Sequence, residues 1–277
     1  MSGSATFPAP ASSIITPQFL QRLRDIVGAD RLLDAPDELV VYECDGYVVE
    51  KNTPDVVVFP INSEEVVRIV LECNRFQIPF VARGAGTSLA GGCLPVGGGV
   101  MIALTKMNRI LEINLRDRYA IVEPGCVNLR LTRSLAGSGF HYAPDPSSQG
   151  ACTIGGNVAT NSGGPHTLKY GVTVNHILGV EYVSADGQLI QLGGPCGRGN
   201  EFDLTGLFVG SEGTFGGGGG GAASSRVSRT HLPRFTGEVR FGLEVTARMD
   251  PCVSTPRRCG SDRFTLRKSP PLTSGML

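Results

Sequence analysis

The apolar positions of this chain change period along its length, and each change marks an element. Within residues 18–27, Phe19, Leu20, Leu23, Ile26 and Val27 recur at three- and four-residue steps, which predicts an amphipathic helix. Val56, Val57, Val58, Phe59 and Pro60 form a short apolar run suited to a buried strand. Asn62 with Glu65 is a helix-start signature, and Val66, Ile69, Val70 and Cys73 continue it at helical spacing. Pro79, Phe80, Val81 and Ala82 predict the next strand. Residues 55–82 thus read as a strand–helix–strand unit with a parallel crossover. Further strands are expected at 100–104, 110–114 and 119–123. Val127, Leu131 and Leu135 predict a helix over 127–138, ended by Gly137 and Gly139. Two apolar runs around Asp186-Gly187 predict a hairpin over 177–192. The fold class is α+β, preceded by a flexible polar arm at residues 1–17.

The pattern stops at Gly216. Residues 216–221 are an unbroken run of six glycines, and beyond them no helical or alternating stretch longer than a few residues stands out. Nine Arg and one Lys dominate residues 217–277, and disorder is the expectation for that tail. Charge sharpens the division. The 25 basic and 25 acidic side chains cancel, but residues 1–216 carry 15 against 21 and residues 217–277 carry 10 against 4. An acidic piece (−6) is therefore joined to a basic one (+6). A net charge of zero argues against a dedicated nucleic-acid binder. The eight Cys include no Cys-x-x-Cys pair and no zinc-type spacing with His, so reduced thiols, a cytoplasmic setting and no metal site are expected. The first residues lack the basic start and apolar core of a secretory signal, and no run of about 18 apolar residues predicts a membrane span.

Glycine is unusually frequent, 38 of 277, and it clusters, which suggests that backbone does the binding. Arg83, Gly84, Ala85, Gly86, Thr87 and Ser88, followed by Leu89-Ala90-Gly91-Gly92, come directly after a predicted strand. Successive N–H groups in such a loop can cradle phosphate oxygens; an ordinary tight turn is the alternative. The loop is neither G-x-G-x-x-G nor a P-loop, because Leu89 stands where a third Gly belongs and no Gly-Lys-Ser/Thr occurs. Pro144, Asp145, Pro146 and Ser147 make a stiff polar loop that reads as structural when taken alone. Thr153 is suited to cap a short helix, and Gly155 and Gly156 would let a planar group lie against its backbone. Of the four His, His166 stands out mildly, with Lys169, for lying near this segment. No Ser–His–Asp or G-x-S-x-G arrangement is present, and no catalytic base can be named.

Taken together, YECDG (42–46), RGAGTSLAGG (83–92), YAPDPSS (142–148), TIGGNVATNSGG (153–164), LKYG (168–171) and GSEGTFG (210–216) resemble the vanillyl-alcohol-oxidase-type FAD-binding domain. More narrowly, they resemble glycolate oxidase flavoprotein subunits and D-lactate dehydrogenases. The resemblance runs from about residue 18 to 216. It implies two α+β subdomains with FAD between them. The pyrophosphate would lie on Arg83, Gly84, Ala85, Gly86, Thr87 and Ser88. Pro144, Asp145, Pro146 and Ser147 would flank the flavin, as would Thr153, Gly156, Asn157, Thr160, Asn161, Ser162 and Gly163, and Glu212 and Gly213 would complete the pocket. Covalent relatives carry a His in the glycine loop; Thr87 and Ser88 stand here, which implies non-covalent FAD.

The implied chemistry is oxidation of a small 2-hydroxy acid, glycolate or D-lactate, by hydride transfer to the flavin N5. Electrons would then pass to companion glycolate oxidase subunits, one of them an iron–sulfur subunit. The implied location is cytoplasmic, or peripheral to the inner membrane through those subunits. Family members continue past the GSEGTFG motif with an apolar strand and then a cap (substrate) domain. Residues 217–277 do not resemble either, so the expectation is a fold incomplete at its C-terminal end, with a frame shift near codon 216 as the simplest cause. The alternatives are an FAD-binding fragment without catalytic activity and a non-enzymatic protein whose basic tail contacts an acidic partner.

Overall fold

The computed structural model describes residues 15–194, 202–214, 227–228 and 245–251, the last two segments by their backbone. The first helix, α1 (Pro17–Val27), begins where its sequence allows. The Thr16 hydroxyl accepts the Phe19 N–H, and Pro17 occupies a first-turn position where its missing N–H costs nothing. Phe19, Leu23, Ile26 and Val27 are buried, as the spacing predicts. The chain continues through β1 (Leu32–Leu33), α2 (Pro36–Leu39), β2 (Val56–Val58), α3 (Ser63–Phe76), β3 (Phe80–Arg83) and β4 (Val100–Ala103).

These four strands form one sheet in the order β1-β2-β4-β3. Both β2 and β3 run parallel to β4, and β1 is antiparallel to β2. The β2–α3–β3 crossover therefore skips one position, and the later strand β4 fills it. Every residue of β2 and β4 is buried, which explains their unbroken apolar runs. The helices α1 and α3 share one core cluster, where the rings of Phe19 and Phe76 lie 5.2 Å apart. At the start of α3, Asn62 caps the Glu65 N–H as predicted, at 2.9 Å. The Glu65 carboxylate does not complete the capping box. It accepts the Ile61 N–H and both guanidinium nitrogens of Arg31, at 2.6 and 2.9 Å.

The second region contains β5 (Ile110–Asn114), β6 (Tyr119–Val122), α4 (Asn128–Ser134), β7 (Phe140–Tyr142), α5 (Ile154–Thr160), α6 (Thr167–Tyr170), β8 (Ile177–Val183), β9 (Leu189–Gly193) and α7 (Leu204–Phe208). Here β5–β6 and β8–β9 are antiparallel pairs. The β8–β9 hairpin turns at Gly187, whose φ of +82° suits the Asp-Gly turn signal. The helix expected over 127–138 is shorter, Asn128–Ser134, and Gly137 and Gly139 take left-handed conformations in the turn that follows it. The helices α2 and α7, four and five residues long, are too short to show a period in the sequence.

Two strands fall within the segment read as a tail, β10 (Val227–Ser228) and β11 (Val245–Pro251). The longer, β11, is antiparallel to β6, β7 and β8, with Ala247 opposite Ala120 and Met249 opposite Tyr142. The signal was present: Phe241, Leu243, Val245, Ala247 and Met249 alternate with Gly242, Glu244, Thr246, Arg248 and Asp250. The glycine run and the rest of the Arg-rich segment lie outside the described residues. Among the described residues no helix is long and apolar enough to cross a membrane.

Candidate functional site

A cavity of about 510 Å³ opens between the two regions. One wall is the loop after β3, from Arg83 to Ser88. The facing wall is α5 with the residues before it, and the segment Ser211-Glu212-Gly213 closes one side.

The loop is a backbone cradle. Among the described residues no acceptor meets the N–H groups of Ala85, Gly86, Thr87 and Ser88. Four donors in succession beside a cavity need an acceptor from outside the chain or from water. Gly84 brings the cradle close to the opposite wall: a Cβ there would lie 2.5 Å from the Thr153 hydroxyl oxygen. That hydroxyl caps α5 by accepting the Gly156 N–H at 3.3 Å. The two glycines of α5 have different reasons. A Cβ on Gly155 would sit 2.7 Å from the Pro124 Cβ and 2.9 Å from its carbonyl oxygen, so this glycine is required by internal packing. A Cβ on Gly156 would meet only the Thr153 hydroxyl, at 3.3 Å, which leaves Gly156 as the position that keeps a flat wall.

Side chains fix the walls behind the backbone. Asn157, buried at 3% exposure, accepts from the Asn128 amide, which also donates to the Pro144 carbonyl. This network ties α5 to α4 and to the loop at 142–148. Glu212 has a left-handed φ of +50°, and its N–H donates to Ala159 at 2.8 Å, which pins the closing segment to the end of α5. Its carboxylate reaches Gly92 on the far side of the glycine loop. Arg83 and Glu212 are the charged residues of the cavity wall, one of each sign. Burial pushes the Cys93 thiol up, against a smaller opposing pull from the Arg83 guanidinium, so this wall presents a neutral thiol. No cluster suited to a metal ion occurs among the described residues.

Of the residues singled out from sequence, Arg83, Gly84, Ala85, Gly86, Thr87, Ser88, Thr153, Gly156, Asn157, Thr160, Ser162, Glu212 and Gly213 line this cavity. The other six lie away from its walls. Pro144 and Pro146 are buried, and Ser147 is exposed. Asp145 pairs with His166, and Asn161 turns its side-chain oxygen to the Val174 N–H at 2.8 Å. Gly163 packs against Thr167 and Val172. Lys169 stacks on the Tyr170 ring rather than reaching the cavity. Sequence reasoning missed Leu104, Pro124, Cys152, Ala159, Phe208 and Ser211, which also line it. Phe208 lies in an apolar run, Leu204, Leu207, Phe208 and Val209, visible in the sequence; Leu104 and Pro124 follow strands, and no spacing marks them.

A backbone donor row without a lysine, walls of small and apolar residues and this volume suit a dinucleotide whose pyrophosphate is bound by N–H groups. The fold and cavity suit an FAD-binding domain, and the residues present fit FAD.

The comparisons agree. A family described as "FAD binding domain" matches residues 54–193, and the chain belongs to it. Over 197 residues the chain is 45% identical to the glycolate oxidase subunit GlcD of Escherichia coli K12, covering 71% of this chain and 40% of that protein. It is 41% identical to GlcD of Bacillus subtilis 168, covering 73% and 43%. With the D-lactate dehydrogenase of Anaerostipes hadrus it shares 35% identity, covering 73% and 42%. Among solved structures, an alkyldihydroxyacetonephosphate synthase superposes with a TM-score of 0.68 at 23% identity, covering 88% of this chain and 43% of that one, which speaks to the fold alone. The chain spans about 40% of the length of the E. coli relative and little more of the others.

Proposed function

We propose that this chain is the cofactor-binding part of an FAD-linked oxidoreductase acting on a small 2-hydroxy acid, glycolate or D-lactate. The observation that carries the reading is the 45% identity to a glycolate oxidase subunit over 197 residues. FAD, when bound, supplies the two-electron acceptor. The chain's own residues bind and orient. The free N–H groups of Ala85, Gly86, Thr87 and Ser88 receive the pyrophosphate, and no His in that loop offers a covalent link, so binding is non-covalent. Thr153, Gly156, Thr160 and Ser162 form the facing wall, and Phe208 and Leu104 add apolar surface to the lining.

The named relatives are subunits, and we place this protein in a comparable assembly that passes electrons onward through an iron–sulfur subunit. The substrate carboxylate is bound by residues outside the cavity described, in a cap domain that residues 18–216 do not contain.

The test is the visible spectrum of the purified chain during anaerobic addition of glycolate and of D-lactate. Oxidised-flavin bands that bleach with either acid support the reading. Flavin bands that neither acid bleaches reduce it to an FAD-binding fragment without catalysis. A folded, colourless chain that takes up no added FAD overturns it.

A further inference from the structure

The N–H cradle is shaped from outside by a segment that precedes the matched family region. Asp45 is only 5% exposed, yet among the described residues its carboxylate makes no ion pair within 4 Å. One oxygen accepts the Tyr47 N–H at 2.7 Å, and the other accepts the Gly91 N–H at 2.9 Å. Gly91 lies near the end of the glycine loop. At the start of the same loop Arg83, 8% exposed, donates to the Cys44 carbonyl at 2.8 Å and lies over the Tyr42 ring at 5.7 Å. Between these two ties, Gly46 touches the middle of the loop. A Cβ on Gly46 would stand 2.7 Å from the Ser88 carbonyl oxygen and 3.1 Å from that of Thr87.

Residues 44–46 thus touch the loop at its beginning, middle and end, while among the described residues no acceptor meets the N–H groups of residues 85–88, which line the cavity. A buried carboxylate is costly unless its oxygens receive hydrogen bonds, and here both come from backbone N–H groups, one of them the loop's own. We propose that Asp45 is a positioning residue for the cofactor. It fixes the loop from behind so that the donor row is already formed when a pyrophosphate-bearing ligand arrives. Gly46 provides the close approach, and Arg83 acts first as the loop's anchor on Cys44. The inference rests on the assignment of this cavity to FAD.

Asp45→Asn is the mild variant. An amide offers one acceptor oxygen where two N–H groups must be met, and its NH₂ faces a donor. Gly46→Ala is the steric variant, since its methyl group presses on loop carbonyls. Lys51→Ala is the control, because Lys51 lies in the same stretch but pairs with Glu43. FAD affinity, followed by quenching of flavin fluorescence in titrations of the intact chain, should fall about tenfold in Asp45→Asn and further in Gly46→Ala. That of Lys51→Ala should stay within twofold. Each titration is run below the melting temperature of the cofactor-free variant, so loss of stability alone does not move it.

A second measurement needs no variant. If Asp45 shapes the loop, linkage requires FAD to strengthen the Asp45 bonds in return. Hydrogen exchange at the Tyr47 and Gly91 amides should then slow at least severalfold when FAD is added. Unchanged FAD affinity in folded Asp45→Asn, or equal loss in Lys51→Ala, overturns the inference, as does unaltered exchange at both amides. If the unaltered chain binds no FAD, the functional reading fails first. If it binds FAD and the variants bind equally well, only the role of Asp45 fails.

Discussion

The two regions that face each other across the cavity are built in opposite ways. The first, from α1 to β4, closes on itself. Its sheet is mostly parallel, its strands are buried, and its elements come from one continuous stretch of about ninety residues. The second, from β5 onward, is antiparallel and draws in β11, a strand more than fifty residues beyond the end of β9. The first region contributes a cradle of free N–H groups. The second contributes a flat helix wall and a closing segment. Half of the binding surface therefore rests on a local fold, and half rests on a sheet assembled late in the chain.

The largest test of that contrast is removal of β11. A chain lacking residues 245–251 should lose the cooperative unfolding of the second region and all FAD uptake, while far-ultraviolet circular dichroism retains the signal of α1 and α3. An unchanged melting curve would show that the second region closes without it.

Next in size is Ile102→Ala. Ile102 is fully buried between β2 and β3, so the truncation should cost about 2–5 kcal/mol in a denaturant titration, felt mainly in the first region. Within the second region the paired glycines sharpen the picture. Gly155→Ala should destabilise by about 1–3 kcal/mol, because its methyl group collides with Pro124. Gly156→Ala should leave the melting temperature nearly unchanged and weaken FAD binding. The reverse pattern would mean that the wall has been misassigned. Smallest is Arg24→Ala: its pair with Asp34 is over a third exposed, so the expected change is under about 1 kcal/mol by thermal melting.

The sequence made the first region legible because its signals are local. The Asn62 cap and the valine run of β2 lie on the elements they define, whereas the Thr16 cap falls in residues read as a flexible arm. The insertion of β4 between β2 and β3 was not legible, since pairing partners are chosen by space and not by order. The hairpin at Asp186-Gly187 was readable from two residues. The strand β11 is readable only in the alternation of residues 241–250, which stands alone in a stretch otherwise dominated by six glycines and an Arg-rich composition. In the site, residue types chosen for backbone access (Gly84, Ala85, Gly86, Gly156) fall on the walls. Loop residues chosen for stiffness (Pro144, Pro146) fall behind them, where Asn128 grips the Pro144 carbonyl. Conformational rigidity and direct contact leave the same mark in a sequence, and only the fold separates them.

The central claim is that a chain built from these two regions binds one FAD without a covalent bond. It is tested most directly by titrating the purified 277-residue chain with FAD, then precipitating it with acid. The account predicts saturation at one FAD per chain and recovery of all the flavin in the acid supernatant. A folded chain that takes up no FAD, or flavin that stays with the precipitated protein, would contradict it.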